Sequence, residues 1–320
     1  VSNSIDLSDQ SIEDPTTVCR PARPGEIRTA LRLILSNKGR MANEEQVVDF
    51  LRFAMHRRLN LNDLWIAERA GHMAWAALPV VSPGKTMLLF SPNHPIHETQ
   101  HQPARELIAA ICNHWTTRGI QLAQALLDPA DVSSQQLYSA CHFQTLAELV
   151  YLQAPGTRWN NHPPDDANLY WREYSASTHD LFAWTILQSY DESLDCPALN
   201  GRRDMEDVIA GHKAAGEFDP RLWLLLCDHS RPLGVLLLAQ SKQSEVLELV
   251  YLGLTRESRG RGLSDMLMGR ALHTVRKQNF QCLSLAVDSR NTHALKLYYR
   301  HGLTRICSKM ALLRDLRAPI

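Results

Sequence analysis

Arg259-Gly260-Arg261-Gly262-Leu263-Ser264 stands between an apolar run, Val246 to Leu254, and a segment in which Leu263, Leu267, Ala271 and Val275 recur every fourth residue. The run reads as a buried strand and the repeat as one apolar face of a helix. A strand, a glycine-containing turn and a helix start together present free backbone N–H groups, and the positive end of a helix dipole, to a phosphate. Glycine at 260 and 262 permits close approach and unusual φ, and the two arginines supply charge for phosphate oxygens. Alone, such a turn says only that an anion can meet a helix start.

Composition bounds the rest. At 320 residues, 44% hydrophobic and 21% charged, the chain has the length of two domains and the make-up of an ordinary globular protein. Thirty-four basic and thirty-four acidic residues cancel. No overall basic field points to nucleic acid, and no polybasic run points to an anionic membrane. Seven scattered cysteines form no CxxC pair, and neither an apolar leader core nor a membrane-spanning run is visible. A cytoplasmic protein with reduced thiols is the expectation.

Read in order, residues 14–155 give two helices (the first opened by Pro24), then strands near Leu64, His72 and Thr86. A helix from Ala104 to Thr117, a strand from Gln121, a short helix and a last strand from Phe143 to Leu152 follow. Residues 156–168 are rich in Pro, Asn and Asp and read as a linker. Residues 169–320 repeat the same order. A shift of 160 places Gln121 on Gln281, Asp128 on Asp288, Leu137 on Leu297, Tyr138 on Tyr298 and Phe143 on Leu303. Leu64-Trp65 falls on Leu222-Trp223 with a shift of 158. A matched order at near-constant offset marks a duplication. The fold class is therefore α/β with a mixed α+β sheet, in two tandem domains.

Two motifs now come together. Arg259-x-x-Gly262-x-Ser264 resembles the pyrophosphate loop of the GNAT superfamily of N-acetyltransferases, with serine where glycine or alanine is usual. Asn291, Ala294, Leu297, Tyr298 and Gly302 resemble that family's N-x-x-A-x-x-L-Y-x-x-x-G-F segment, with Leu303 in place of phenylalanine. The chain is similar to tandem-domain members of the mycothiol synthase type. The resemblance implies two GNAT-like domains, each a mostly antiparallel central sheet flanked by helices, and acetyl-CoA as the donor substrate. It puts the pyrophosphate on the amides of Arg259, Gly260, Arg261, Gly262, Leu263 and Ser264. It puts the pantetheine arm on the backbone at Leu252 and Leu254, with Asn291 helping to position the cofactor.

Glu248 is an acid inside an apolar run. Strict alternation sets it on one face with Val250 and Leu252, and desolvation would raise its pKa toward that of a useful base. The resemblance gives the same strand position a base, and gives Tyr298 the role of proton donor to the departing thiolate. The acceptor is then a small-molecule or peptide amine, attacked directly in a ternary complex. The alternative is a non-catalytic acyl-CoA sensor or scaffold on the same fold.

The first half departs from this pattern. Its aligned segment, Thr99 to Ala104, lacks glycine and arginine and contains Pro103, and Leu88 stands opposite Glu248. It is read as non-catalytic. His94, His97 and His101 are read as a polar loop rather than a metal site, and Cys196 lacks the adjacent histidine of a nucleophile. Asp195 beside it is read as a residue that attracts an amine.

Overall fold

The structure is a computed structural model that describes residues 16–37, 40–92, 98–156, 168–229, 231–241 and 245–318. Most of the expected linker (157–167), His94 and His97 lie outside the described residues. Among the described residues, twelve strands and eight α-helices follow one another in the duplicated order. The first half contains β1 (Thr17–Pro21), α1 (Ile27–Ile34), α2 (Glu44–Arg57), β2 (Trp65–Arg69), β3 (His72–Ser82) and β4 (Thr86–Phe90). It continues with α3 (Glu98–Thr116), β5 (Leu122–Leu127), α4 (Val132–Ala140) and β6 (Gln144–Pro155). The second half repeats them as β7 (Leu169–Glu173), α5 (His179–Ser189), α6 (Met205–Ala214), β8 (Trp223–Asp228), β9 (Arg231–Gln240) and β10 (Val246–Leu254). It closes with α7 (Leu263–Lys277), β11 (Cys282–Asp288), α8 (Thr292–Arg300) and β12 (Thr304–Asp315).

Each half brings a mostly antiparallel sheet, parallel among the described residues where β4 meets β5 and β10 meets β11. The two sheets are joined into one of twelve strands, in the order β1-β2-β3-β4-β5-β12-β6-β11-β10-β9-β8-β7. The last strands are exchanged. Strand β12 pairs with β5 of the first half, and β6 pairs with β11 of the second. Ala123 faces Arg314 where Leu283 faces Ala154, so both members of the pair move by 160 residues. The register thus carries the duplication seen in the sequence. The exchange also pairs two strands that would otherwise leave open edges.

Helices α3, α4, α7 and α8 cover one face of the sheet, and α1, α2, α5 and α6 the other. The expected stripe of α7 is buried, with Leu263 at 5% and Leu267, Ala271 and Val275 at 0–1% exposure. Each such leucine is worth roughly 1.5–3 kcal/mol relative to exposure, and the stripe fixes where the start of α7 points.

One boundary differs from expectation. Helix α3 begins at Glu98, not Ala104, and runs through Pro103. Pro103 is the sixth residue of the helix, so it forfeits the bond to the carbonyl of Thr99 and crowds that carbonyl, a local cost that the rest of the helix outweighs. The stretch aligned with the phosphate turn is therefore helical in the first half, and His101, expected in a polar loop, lies on this helix.

Candidate acyl-transfer site

The site is made by a strand that stops pairing. Strand β10 lies beside β11 only from Val246 to Glu248, opposite Cys282 to Ser284. Beyond that point the strands diverge, and among the described residues the edge of β10 from Leu249 onward has no strand partner on that side. Alternate backbone N–H and C=O groups turn to the open edge, as in an unpaired ladder. A cavity of about 580 Å³ fills the gap, walled by β10, β11, α8 and the connection between α5 and α6.

A bulge re-aims the side chains. On β10, the register to β9 slips between Leu249 and Tyr251, leaving Val250 as the extra residue. Leu247 and Leu249 pack with the α7 core, Val250 and Tyr251 with α5 and α6, and Leu252 and Leu254 again with α7. The alternation expected from sequence is thereby corrected. Glu248 and Val250 share a face, but Leu252 lies on the opposite one, because the extra residue reverses the order. No register shift occurs in the counterpart pairing of β3 with β4.

At the far end, Gly260 (φ +74°) and Gly262 (φ +75°) adopt left-handed backbone conformations. A Cβ at either would meet nothing within 4 Å, so glycine is required here by conformation and not by space. Gly262 is the N-cap of α7 and supplies no side-chain cap, leaving the first N–H groups of the helix free. Gly260 and Ser264 line the cavity, as do Leu252, Leu254, Arg259, Asn291 and Tyr298. The Arg259 guanidinium donates to the Ser189 carbonyl at 2.9 Å and so braces the turn against α5. Arg261 is exposed and Leu263 is core, and neither lines the cavity. The Asn291 side chain caps α8, accepting from the Ala294 amide at 3.1 Å.

Tyr298 is 7% exposed and its hydroxyl has no hydrogen-bond partner among the described residues. Burial, with the nearby charge of Asp195, raises its pKa, so the phenol keeps its proton. Its counterpart Tyr138 differs: that hydroxyl pairs with Ser91 at 2.8 Å. The same residue type is anchored in one half and left open to a cavity in the other.

Two carboxylates stand near the point where the strands part. Glu248 is outside the cavity wall, on the face shared with α2. Burial raises its pKa, while the charge of Arg57 and a hydrogen bond with Ser241 oppose the rise. Arg57, from the last turn of α2 in the first half, reaches Ser241 Oγ at 3.4 Å. Asp195 lies in the cavity wall. Its Oδ1 accepts the Asp288 amide at 3.2 Å, and Asp288 Oδ2 accepts the Cys196 amide at 3.2 Å. Burial raises the pKa of Asp195 despite the amide it accepts. The buried Asp288 has its pKa lowered, because bonds from Arg290, as short as 2.6 Å, outweigh its burial. Cys196 takes a left-handed φ of +46°, and burial pushes its thiol up to about 12. It remains a thiol.

The loop carrying Asp195 also reaches the first half. Cys196 and Leu199 pack onto Leu122, Ala311 and Leu313, and Arg202 accepts a hydrogen bond from Arg317 at 2.8 Å. It thus covers, on the first half, the sheet surface that corresponds to the one around Glu248. The sequence identified the turn, Asn291, Tyr298 and both carboxylates. It gave no sign of Arg57, nearly two hundred residues from Glu248, or of the bulge.

Residues 167–303 match the Acetyltransferase (GNAT) family. A mycothiol acetyltransferase of Jonesia denitrificans is 35% identical over 75 residues, which span 23% of this chain and only 24% of that relative. A GCN5-related N-acetyltransferase of Sphaerobacter thermophilus superposes with a TM-score of 0.62 at 15% identity, over 95% of this chain and 97% of the other. A tandem GNAT protein from the clavulanic acid biosynthesis pathway superposes with a TM-score of 0.53 at 14% identity, over 95% of this chain and all of the other. At these identities the structural likeness is one of fold.

Proposed function

Because the chain belongs to the GNAT superfamily and takes its tandem form, we propose that its second half moves the acetyl group of acetyl-CoA onto an amine. The observation that carries the reading is the open edge of β10, bounded at one end by an uncapped helix start and at the other by an unpartnered tyrosine hydroxyl. In this reading the pyrophosphate rests on the free amides of the turn and of α7, where dipole and N–H groups favour an anion. The pantetheine arm lies along β10 at Leu252 and Leu254 like an added strand.

The amine nitrogen attacks the thioester carbon, and the Leu252 amide holds the developing oxyanion. The C–S bond then breaks. The proton lost by the amine goes to Glu248 through water, since Glu248 lies outside the cavity wall, and Tyr298 protonates the leaving thiolate. A second reading assigns the first proton to Asp195, and what favours it is that Asp195 lines the cavity and has a raised pKa.

Residues 14–155 form the non-catalytic half of the proposal and 169–320 the working half. Leu88 stands in register where the second half has Glu248, Tyr138 is tied to Ser91, and the Asp195 loop covers the corresponding sheet surface. The first half also contributes Arg57 and the exchanged strand β6. The reaction belongs in the cytoplasm, where acetyl-CoA is made and the seven cysteines stay as free thiols. A thiol-release assay with a panel of small amines and peptides tests the reading. Thiol released in proportion to acetylated amine is the expected result. Acetyl-CoA binding without thiol release for any amine would favour the sensor or scaffold instead.

A further inference from the structure

We propose that the first half carries a binding site of its own for a phosphate group, between α3 and α4. Arg314 of β12 is 7% exposed and lines a cavity of about 900 Å³ together with Arg105, His101, Gln102, Gln136 and His142. Its counterpart under the shift of 160 is Ala154, fully buried in the α7 core. A guanidinium thus stands where the other half places a methyl group.

That cation has no carboxylate partner among the described residues. Its contacts are the Cys141 carbonyl, 3.1 Å from Nη1, and the Cys112 thiol, which burial pushes up to about 12 and so keeps neutral. A buried charge left without a counter-ion is costly, and an anion in the cavity removes that cost. Arg105 also lacks an acid among the described residues, and both guanidinium groups line the same cavity. Glu106 is the acid on the wall, and Gln102 donates to it at 2.9 Å.

The second half is built the opposite way. Asp265 stands at the place of Arg105 and ties α7 to α8 through Arg300 at 2.7 Å and His301 at 2.8 Å. Their counterparts are Ala140 and Cys141, so the first half has lost the clamp and inverted the charge. Two guanidinium forks with neutral amide donors beside them suit a tetrahedral oxyanion. The phosphate is either the free ion or an ester of a small metabolite.

Isothermal titration with inorganic phosphate, and separately with ribose 5-phosphate, tests this at fixed ionic strength with acetyl-CoA present in excess to fill the other cavity. One saturable site per chain is expected, with the tighter probe identifying the source. Arg105→Ala should weaken binding at least about tenfold while leaving acetyl-CoA binding unchanged, and Arg314→Met should remove it. Absent or non-saturable binding of both probes would overturn the proposal, as would wild-type affinity in Arg105→Ala. Arg105 is exposed, so this variant decides the matter even if Arg314→Met does not fold.

Discussion

Replacing Tyr298 by phenylalanine removes one oxygen and little else. Among the described residues nothing bonds to that hydroxyl, so no partner is stranded and stability should change by less than about 0.5 kcal/mol. Loss of a positioned proton donor costs roughly 10²- to 10⁴-fold in rate, or about 2.7–5.4 kcal/mol of barrier. The same exchange at Tyr138 should do the reverse. It breaks the 2.8 Å bond to Ser91, costing about 1 kcal/mol and on the order of 2 °C in Tm, with turnover unchanged. Both variants are compared with the wild type by continuous thiol release and by thermal unfolding. The KM for acetyl-CoA should stay within about threefold in each, because uniform binding is untouched. A Tyr298→Phe enzyme with wild-type kcat would refute the donor role, and equal losses in both variants would show that the ring matters only for packing.

Glu248→Gln should lower kcat and flatten the acid limb of the pH–rate profile. That limb otherwise rises as the carboxyl, held above its usual pKa by burial, loses its proton. Asp195→Asn keeps the oxygen that accepts the Asp288 amide, so it should fold normally, and only in the second reading should it be the variant that loses the limb. Gly262→Ala places a Cβ in a left-handed position at a cost of about 1–2 kcal/mol. It should weaken acetyl-CoA binding in calorimetry through the displaced turn, since no clash arises. Asp288→Asn should destabilise the fold by roughly 1–3 kcal/mol in denaturant titration. Because the pKa of Asp288 is lowered in the folded state, its contribution is present above the ordinary carboxylate pKa. It is lost as pH falls through the folded value, so the difference between variant and wild type should shrink in acid.

Much of the site was legible because its requirements are local. Gly260 and Gly262 are needed for φ, Asn291 for a cap, and the stripe from Leu263 to Val275 for a core, and each leaves its mark within a few residues. The duplication was legible because a constant offset survives when side chains diverge. What escaped depends on partners remote in sequence. The exchange of β6 and β12 leaves every strand's own pattern intact, so nothing in either strand announces its neighbour. The slip at Val250 involves no glycine or proline, and it alone reversed the predicted facing of Leu252. The early start of α3 escaped because Pro103 reads as a breaker, whereas the helix runs through it.

The central claim is one working donor site in a chain that is twofold in architecture. Calorimetric titration of the full chain with acetyl-CoA tests it most directly. One equivalent bound per chain, with affinity reduced by Gly262→Ala and unaffected by Arg105→Ala, is the predicted result; two equivalent sites, or none, would contradict it.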